Sequence, residues 1–427
     1  MNIALVFPKS TFLIDPMVYP PLGLWYLAAQ LEAQGHHCDF YDLSVDTLPE
    51  DGVYDQMWVS ATSPQMHEVR KIGSKTHWWK HTHTVFGGAA PWASVHAMRD
   101  WDDLGFGLIV SGESDHPDTV RHVVELAKQG DPITNPLTYH PAITPGDLTW
   151  VLPPVRRWDY MYNAYLEDRD GKKHRTTTLF TSRGCPMACA FCESGRNGII
   201  WDKFVRYEPL EIVEDQIRTA IERGHTGLMY YDDILPLNKP RTLAQMDIHK
   251  KYGVTWRCFL RTDVIAKQGG YDYLKQMADA GLVEVLAGVE SADNRIKENI
   301  SKGTTIEQDT EALQWCKQLG IKFKASLILG LPGETRESME RTREWILRWR
   351  PDRVDVNTLI PFPGTPITSH AAQYDVYWTE SIPEEFWYKG PRDEGAAIVG
   401  TSALKPYEIK EFHDQLIREI EAEGIPY

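Results

Sequence analysis

At 427 residues the chain is too long for one ordinary hydrophobic core, and 42% hydrophobic with 25% charged residues is the composition of a globular protein rather than a disordered or fibrous one. A net charge of -15 without a run of Lys and Arg argues against a long nucleic acid as partner, and no apolar stretch approaches the length of a membrane span. Six cysteines in this length make no disulfide framework, and "MNIALVFPKS" lacks the basic and apolar regions of a signal peptide, so a cytoplasmic protein opening on a strand is expected.

Over residues 1–133 strand and helix patterns alternate. "NIALVFP" is a short buried strand, and "PLGLWYLAAQLEAQG" has helical apolar spacing that stops at Gly35. "HCDFYDL" and "YDQMWVSATS" are strands, "PQMHEVRKIGSKTHWW" is helical, "HTVFGGA" and "LGFGLIVSG" are strands, and "HPDTVRHVVELAKQG" is a helix. This predicts a doubly wound, Rossmann-like α/β domain, whose ligands bind beyond the carboxyl ends of the strands. From 134 to 175 the period is lost among Pro and Thr, and an ordered linker draped over the following domain is expected. Over 176–370 alternation resumes, with strands at "RTTTLFTSRGC", "TGLMYYDD", "TWRCFLRTD", "LVEVLAGVES", "IKFKASLILG" and "RVDVNTLIPF". Helices are predicted at "EPLEIVEDQIRTAIERG", "GYDYLKQMADAG", "IEQDTEALQWCKQLG" and "TRESMERTREWILRW". Six strands with intervening helices predict a partial (β/α)6 barrel, with its chemistry at the C-terminal strand ends. The remainder, 371–427, is a short extension ending in an amphipathic helix, "KPYEIKEFHDQLIREIEAEG".

Chemistry concentrates in "TSRGCPMACAFCESG", where Cys185, Cys189 and Cys192 are three of the six cysteines. Cys38, Cys258 and Cys316 sit in apolar or mixed contexts and are expected to be buried small side chains. A structural zinc site would need a fourth ligand, and neither Asp202 nor His225 has convincing spacing for it. An iron–sulfur cubane normally takes four cysteines; three leave one iron open to a substrate or cofactor. Gly184 and Gly195 suit a tight wrap around such a cluster.

The C-x3-C-x2-C spacing, with Phe191 before the third cysteine, resembles the radical S-adenosylmethionine (SAM) superfamily. "YYDDIL", "GVESAD", "SKGTT", "LILGLPGET" and "PFPGTP" resemble, in order, the strand-end motifs of the subgroup carrying an N-terminal cobalamin-binding domain. "PPLGLWYLAAQLEAQGH" and "FGG" resemble that domain, and "LPPVRRWDYMYNAY" its linker. The resemblance implies a [4Fe-4S] cluster, SAM and cobalamin as cofactors. In the family the reduced cluster cleaves SAM to a 5′-deoxyadenosyl radical, which abstracts hydrogen from an unactivated carbon. Methylcobalamin then typically methylates that carbon.

Carried over by motif position, Cys185, Cys189 and Cys192 bind the cluster, and the Phe191 backbone lies near adenine. Asp232 and Asp233 face the SAM amino group, Lys302 pairs with its carboxylate, and Glu290 and Ser326 accept from the ribose. The backbone of Leu329 and Gly330 flanks adenine. For the corrin, Ser60, Thr62, Gly87 and Gly88 offer small residues at strand ends, and Ser111, Gly112 and Glu113 are expected at its amides. The D-x-H-x-x-G motif that supplies a lower histidine ligand in other cobalamin proteins is absent, so none is expected here. Arg261, at a barrel strand end, is the expected inward substrate contact, with a structural salt bridge as its rival reading. His81 and His83 share a strand face, but no further ligand accompanies them.

The leading expectation is a methyltransferase acting on a small molecule or peptide, reduced by a flavodoxin- or ferredoxin-type partner. An oxidative cyclase or ring-rearranging enzyme with the same cofactors is a second reading, and a non-catalytic cobalamin or SAM sensor a third. A methylthiotransferase is disfavoured, because the N-terminal region holds only Cys38 where those relatives carry three cysteines.

Overall fold

The computed structural model describes residues 1–427 except 12, 14, 89–103, 142–145, 195–203, 363 and 380–396. The front part contains β1 (Asn2–Phe7), α1 (Leu22–Ala33), β2 (His37–Asp42), β3 (Gln56–Ser60), α2 (Met66–Thr76), β4 (His83–Gly87), β5 (Leu108–Val110), α3 (Pro117–Ala127) and β6 (Leu137–Tyr139). Its strands form one parallel sheet in the order β2-β1-β3-β4-β5-β6. Alternate residues of β1 serve opposite faces: Ile3 and Leu5 join a core with Trp25 of α1 and Val120 of α3, and Ala4 and Val6 join one with Val69 and Ile72 of α2. The strand order reverses at β1, which places a ligand crevice beyond the ends of β1 and β3. α1 ends at Gly35, whose φ of 82° permits the left-handed exit.

The segment expected to drape over the second domain packs mainly on the first. Leu148, Val151, Trp158 and Tyr162 belong to the front core, and the Tyr162 hydroxyl donates to Asp42 at 2.7 Å. The sheets also cross the expected linker bounds. β6 extends the first sheet past residue 133, and β7 (Ala164–Glu167) and the first three residues of β8 (Lys173–Leu179) precede 176 in the second. Short edge strands of three or four residues carry too little periodicity to announce themselves.

The second part continues with β9 (Ser182–Arg183), β10 (Arg206–Tyr207), α4 (Leu210–Glu222), β11 (Gly227–Tyr230), α5 (Lys239–Tyr252), β12 (Thr255–Leu260), α6 (Thr262–Gln268), α7 (Gly270–Asp279), β13 (Leu282–Glu290), α8 (Asn294–Asn299), α9 (Ile306–Leu319), β14 (Lys322–Leu329), α10 (Arg336–Trp349) and β15 (Arg353–Thr358). Its main sheet runs β15-β14-β13-β12-β11-β8-β7. Six strands are parallel and β7 is antiparallel to β8, giving a curled half-barrel. On β13, Val285, Ala287 and Val289 face the helices with Leu313, Met339 and Ile346, and the alternate residues face the barrel interior. The chain ends with α11 (Pro366–Ser369), the hairpin β16 (Val376–Trp378) and β17 (Val399–Thr401), and α12 (Pro406–Ala422). Ile409, Phe412 and Leu416 of α12 join the barrel core, so the extension covers the β15 edge. Helix α5 escaped the periodic reading; its signals are the Asn238 cap, which accepts from the Arg241 N–H, Pro240 in the first turn and Gly253 just past the end.

Candidate active site

The cysteine loop leaves β8 through Thr181 and Ser182, and Asp232, just past β11, fastens that exit. Its carboxylate accepts the Thr181 N–H at 2.8 Å, the Thr181 hydroxyl at 2.6 Å and the Ser182 hydroxyl at 2.5 Å, and the side chain is fully buried. Asp232 therefore holds the root of the loop and is not open to a ligand amine, contrary to its sequence assignment. Asp233 is only partly buried; burial pushes its carboxyl up to about 6, against hydrogen bonds from Ser194 and the Gly184 backbone.

Further along, Gly184 takes a φ of 96°, and the Ala190 N–H donates to the Ile300 carbonyl at 2.9 Å. The Ala190 carbonyl accepts from Ile367, and Phe191 packs with a cluster that includes Ile296 and Leu331. All three thiols are free; Cys185 and Cys189 are buried and Cys192 partly so. Burial raises the Cys185 thiol to about 11 and the Cys192 thiol to about 12. Buried sulfurs of this kind become thiolates only with a nearby positive charge or a metal. Among the described residues no three His, Cys, Asp or Glu side chains close on a single metal ion, His81 and His83 included. Gly195 and Asp202 lie outside the described residues. Three free thiols on one short loop suit a polynuclear cluster.

Across the strand ends, Glu290 takes a left-handed φ of 63°, where the pairing of β13 with β14 shifts register. A non-glycine residue in that region stores strain, a frequent mark of a functional site. The turn brings the Glu290 carboxylate to Lys302 Nζ at 2.6 Å, with both side chains buried. Burial alone would lower the Lys302 ammonium, but Glu290 and Cys189 together raise it. Two residues assigned to opposite ends of SAM thus form one pair. Ser326 lies on the interior face of β14, opposite Gly288. The Leu329 carbonyl accepts from Leu359 at 2.8 Å, and the Gly330 N–H donates to Glu334 at 2.6 Å. The Leu329 carbonyl and the Gly330 N–H are thus already partnered. Glu334 also accepts from Leu331, and burial raises its carboxyl to about 8.

Arg261 is not a free substrate contact. Its Nε donates to Asp263 at 3.0 Å, its Nη1 to Cys189 Sγ at 3.4 Å, and its Nη2 to the Lys302 carbonyl. The guanidinium is committed to the cysteine loop and its neighbours because three elements converge on it.

In the front domain, Ser60 and Gly87 are half-buried at strand ends, and exposed Thr62 leans on Gln65, which also reaches the Pro8 carbonyl at 2.6 Å. Gly88 has a backbone reason to be glycine. A Cβ there would stand 2.5 Å from the Ala61 carbonyl oxygen and 2.8 Å from Ser60 Oγ. Ser111 donates its N–H to Tyr139 of β6, and Gly112 backs onto Pro141. Glu113 corrects its assignment: it accepts from Arg183 at 2.6 Å and from Arg206 at 2.8 Å and is unavailable to a ligand amide. Asp115 takes the rest of the Arg183 fork at 2.8 and 2.6 Å. Sequence reasoning gave Arg183 and Asp115 no role. Their only signal was an arginine two residues before Cys185 and an acidic pair ending a strand some seventy residues earlier. This network ties the front domain to the cysteine loop.

Residues 179–346 match the family model of the radical SAM superfamily, and this part of the chain is a radical SAM domain. Among curated relatives, an uncharacterized methyltransferase of Pyrococcus horikoshii is 27% identical over 87% of this chain and 83% of its own length. The anaerobic magnesium-protoporphyrin IX monomethyl ester cyclase of Rubrivivax gelatinosus is 24% identical over 81% of this chain and 65% of its own. The radical SAM methyltransferase TsrM of Kitasatospora setae, solved with cobalamin and a [4Fe-4S] cluster, shares the fold. It superposes with a TM-score of 0.65 at 15% identity, covering 90% of this chain and 81% of its own. No described helix is long and apolar enough to cross a membrane.

Proposed function

We propose that the chain is a cobalamin-dependent radical SAM methyltransferase acting on an unactivated carbon of a small molecule or peptide. One observation carries the reading: three free thiols share one loop at the carboxyl ends of half-barrel strands, and buried ion pairs lock that loop to a strand end of a second parallel sheet. When bound, the cluster and SAM supply a 5′-deoxyadenosyl radical, and methylcobalamin supplies the methyl group. Cys185, Cys189 and Cys192 hold the cluster. Asp233 lies beside them as acceptor for an ammonium. Lys302 and Glu290, paired with each other at 2.6 Å, would exchange that contact for a zwitterion and a diol when SAM binds. The crevice at the reversal of strand order, lined by Ser60, Thr62 and Gly87, takes the corrin. The cyclase relative favours a second reading in which the same cofactors close a ring.

The test is anaerobic purification with iron, sulfide and cobalamin supplied. Cys185→Ala, Cys189→Ala and Cys192→Ala together are expected to abolish iron–sulfur absorption and reductive SAM cleavage while corrin bands remain. A wild-type chain that binds neither iron nor corrin refutes the proposal. A product that gains a methyl separates methylation from cyclisation.

A further inference from the structure

We infer that Arg261 sets how readily the cluster held by Cys185, Cys189 and Cys192 accepts its electron. The inference rests on the proposed function for the presence of the cluster, and on this chain's geometry for everything else. Arg261 follows β12 directly, and its side chain is 7% exposed. Each edge of the guanidinium meets a different partner: Asp263, the Lys302 backbone and Cys189 Sγ. A planar fork anchored on three sides has one orientation. That orientation points an N–H at a sulfur.

The charge around it is unevenly compensated. Lys302, another buried cation nearby, has Glu290 at 2.6 Å. Asp263 is shared, since Lys267 reaches its second oxygen at 3.1 Å. Arg261 thus keeps more of its positive charge toward the cysteine loop than Lys302 does.

Reduction adds one electron, delivered by a low-potential one-electron donor, and makes or breaks no bond in the protein. The added negative charge falls next to the guanidinium and its N–H···S contact. Both stabilise the reduced form more than the oxidised form, and in a site shielded from water neither is strongly screened. Arg261 therefore raises the cluster potential. It is a positioning and tuning residue acting through Cys189.

The experiment is an anaerobic titration of the reconstituted full chain with titanium(III) citrate, followed by electron paramagnetic resonance. Arg261→Gln is expected to shift the midpoint to more negative potential at unchanged iron and sulfide content. Arg261→Lys, which keeps the charge and loses the fork, should shift it by less. An unchanged midpoint in both variants overturns the inference. So does a variant whose only change is weaker SAM binding, which would make Arg261 a SAM contact. Should Arg261→Gln lose its iron, Arg261→Lys decides alone: a lowered midpoint supports the assignment and an unchanged one ends it. A wild-type chain without iron and sulfide removes the family reading and this inference together; an invariant potential in a loaded chain removes only this one.

Discussion

Arg183→Met tests whether the front domain holds the cysteine loop in place. Arg183 gives three N–H···O bonds of 2.6 to 2.8 Å to Glu113 and Asp115, and its guanidinium lies over the rings of Tyr26 and Trp150 at 5.7 and 5.5 Å. Glu113 keeps Arg206 when Arg183 is lost. The side-chain bonds to Asp115 both come from Arg183, so the cost falls mainly on that carboxylate, whose side chain is 11% exposed. Removing one partner of such a buried pair costs about 3–5 kcal/mol, because a charge stays behind without compensation. The same argument predicts that Arg183→Met with Asp115→Leu is more stable than Arg183→Met alone, since the stranded charge is gone. Urea unfolding followed by tryptophan fluorescence measures both. A loss below about 1 kcal/mol in the single variant, or a double variant weaker than the single, would falsify the account.

Two further outcomes follow from local geometry. Gly88→Ala forces a Cβ to within 2.5 Å of the Ala61 carbonyl oxygen at a φ of 102°, and should cost about 1–3 kcal/mol in thermal unfolding. Gly87→Ala, with its nearest contact at 3.6 Å, is the control and should be mild; equal effects would remove the steric explanation. His249 is depressed from 6.5 to about 3 by burial, and its Nε2 lies 2.6 Å from the Tyr230 hydroxyl. Below pH 6.5 the unfolded chain takes a proton that the folded chain refuses, so this stability is present above that pH and drains as pH falls toward about 3. His249→Gln should therefore lose less stability than wild type between pH 6.5 and about 5, by about 2 kcal/mol; parallel pH curves would contradict it.

What the sequence disclosed was whatever repeats or clusters. Alternate burial along β1 and β13 shows as periodic apolar residues, and the three thiols stand together within eight positions. What it concealed was pairing across distance. Nothing near Asp232 in the chain distinguishes a carboxylate aimed at a ligand from one fastening Thr181 and Ser182, residues fifty positions away. Nothing near Glu113 reports that Arg183 and Arg206 will reach it. Polar residues at strand ends are legible as a group, but their partners are fixed only when the sheet curls and the front domain docks. Arg261 shows the limit: its place at the end of a barrel strand was readable, and its orientation toward Cys189 was not.

The buried ions also raise an energetic question, since an acidic chain of net charge -15 places Arg183, Arg206, Arg261 and Lys302 around its cysteine loop. Each pairs with a carboxylate: Arg183 and Arg206 reach Glu113 and Asp115, and Lys302 reaches Glu290, in other segments, while Arg261 pairs with Asp263 two residues on. Buried ion pairs contribute little net stability, and well-packed apolar residues of similar volume often do better. Stability alone therefore does not account for five of them. What they supply is direction: a fork bonded at fixed angles positions a backbone more tightly than interchangeable methyl contacts. That matters where the backbone is strained, as at Glu290, and where three sulfurs must keep fixed separations without a helix or broad sheet beneath them. On this reasoning, apolar replacement of a pair leaves folding intact and degrades the alignment of the loop.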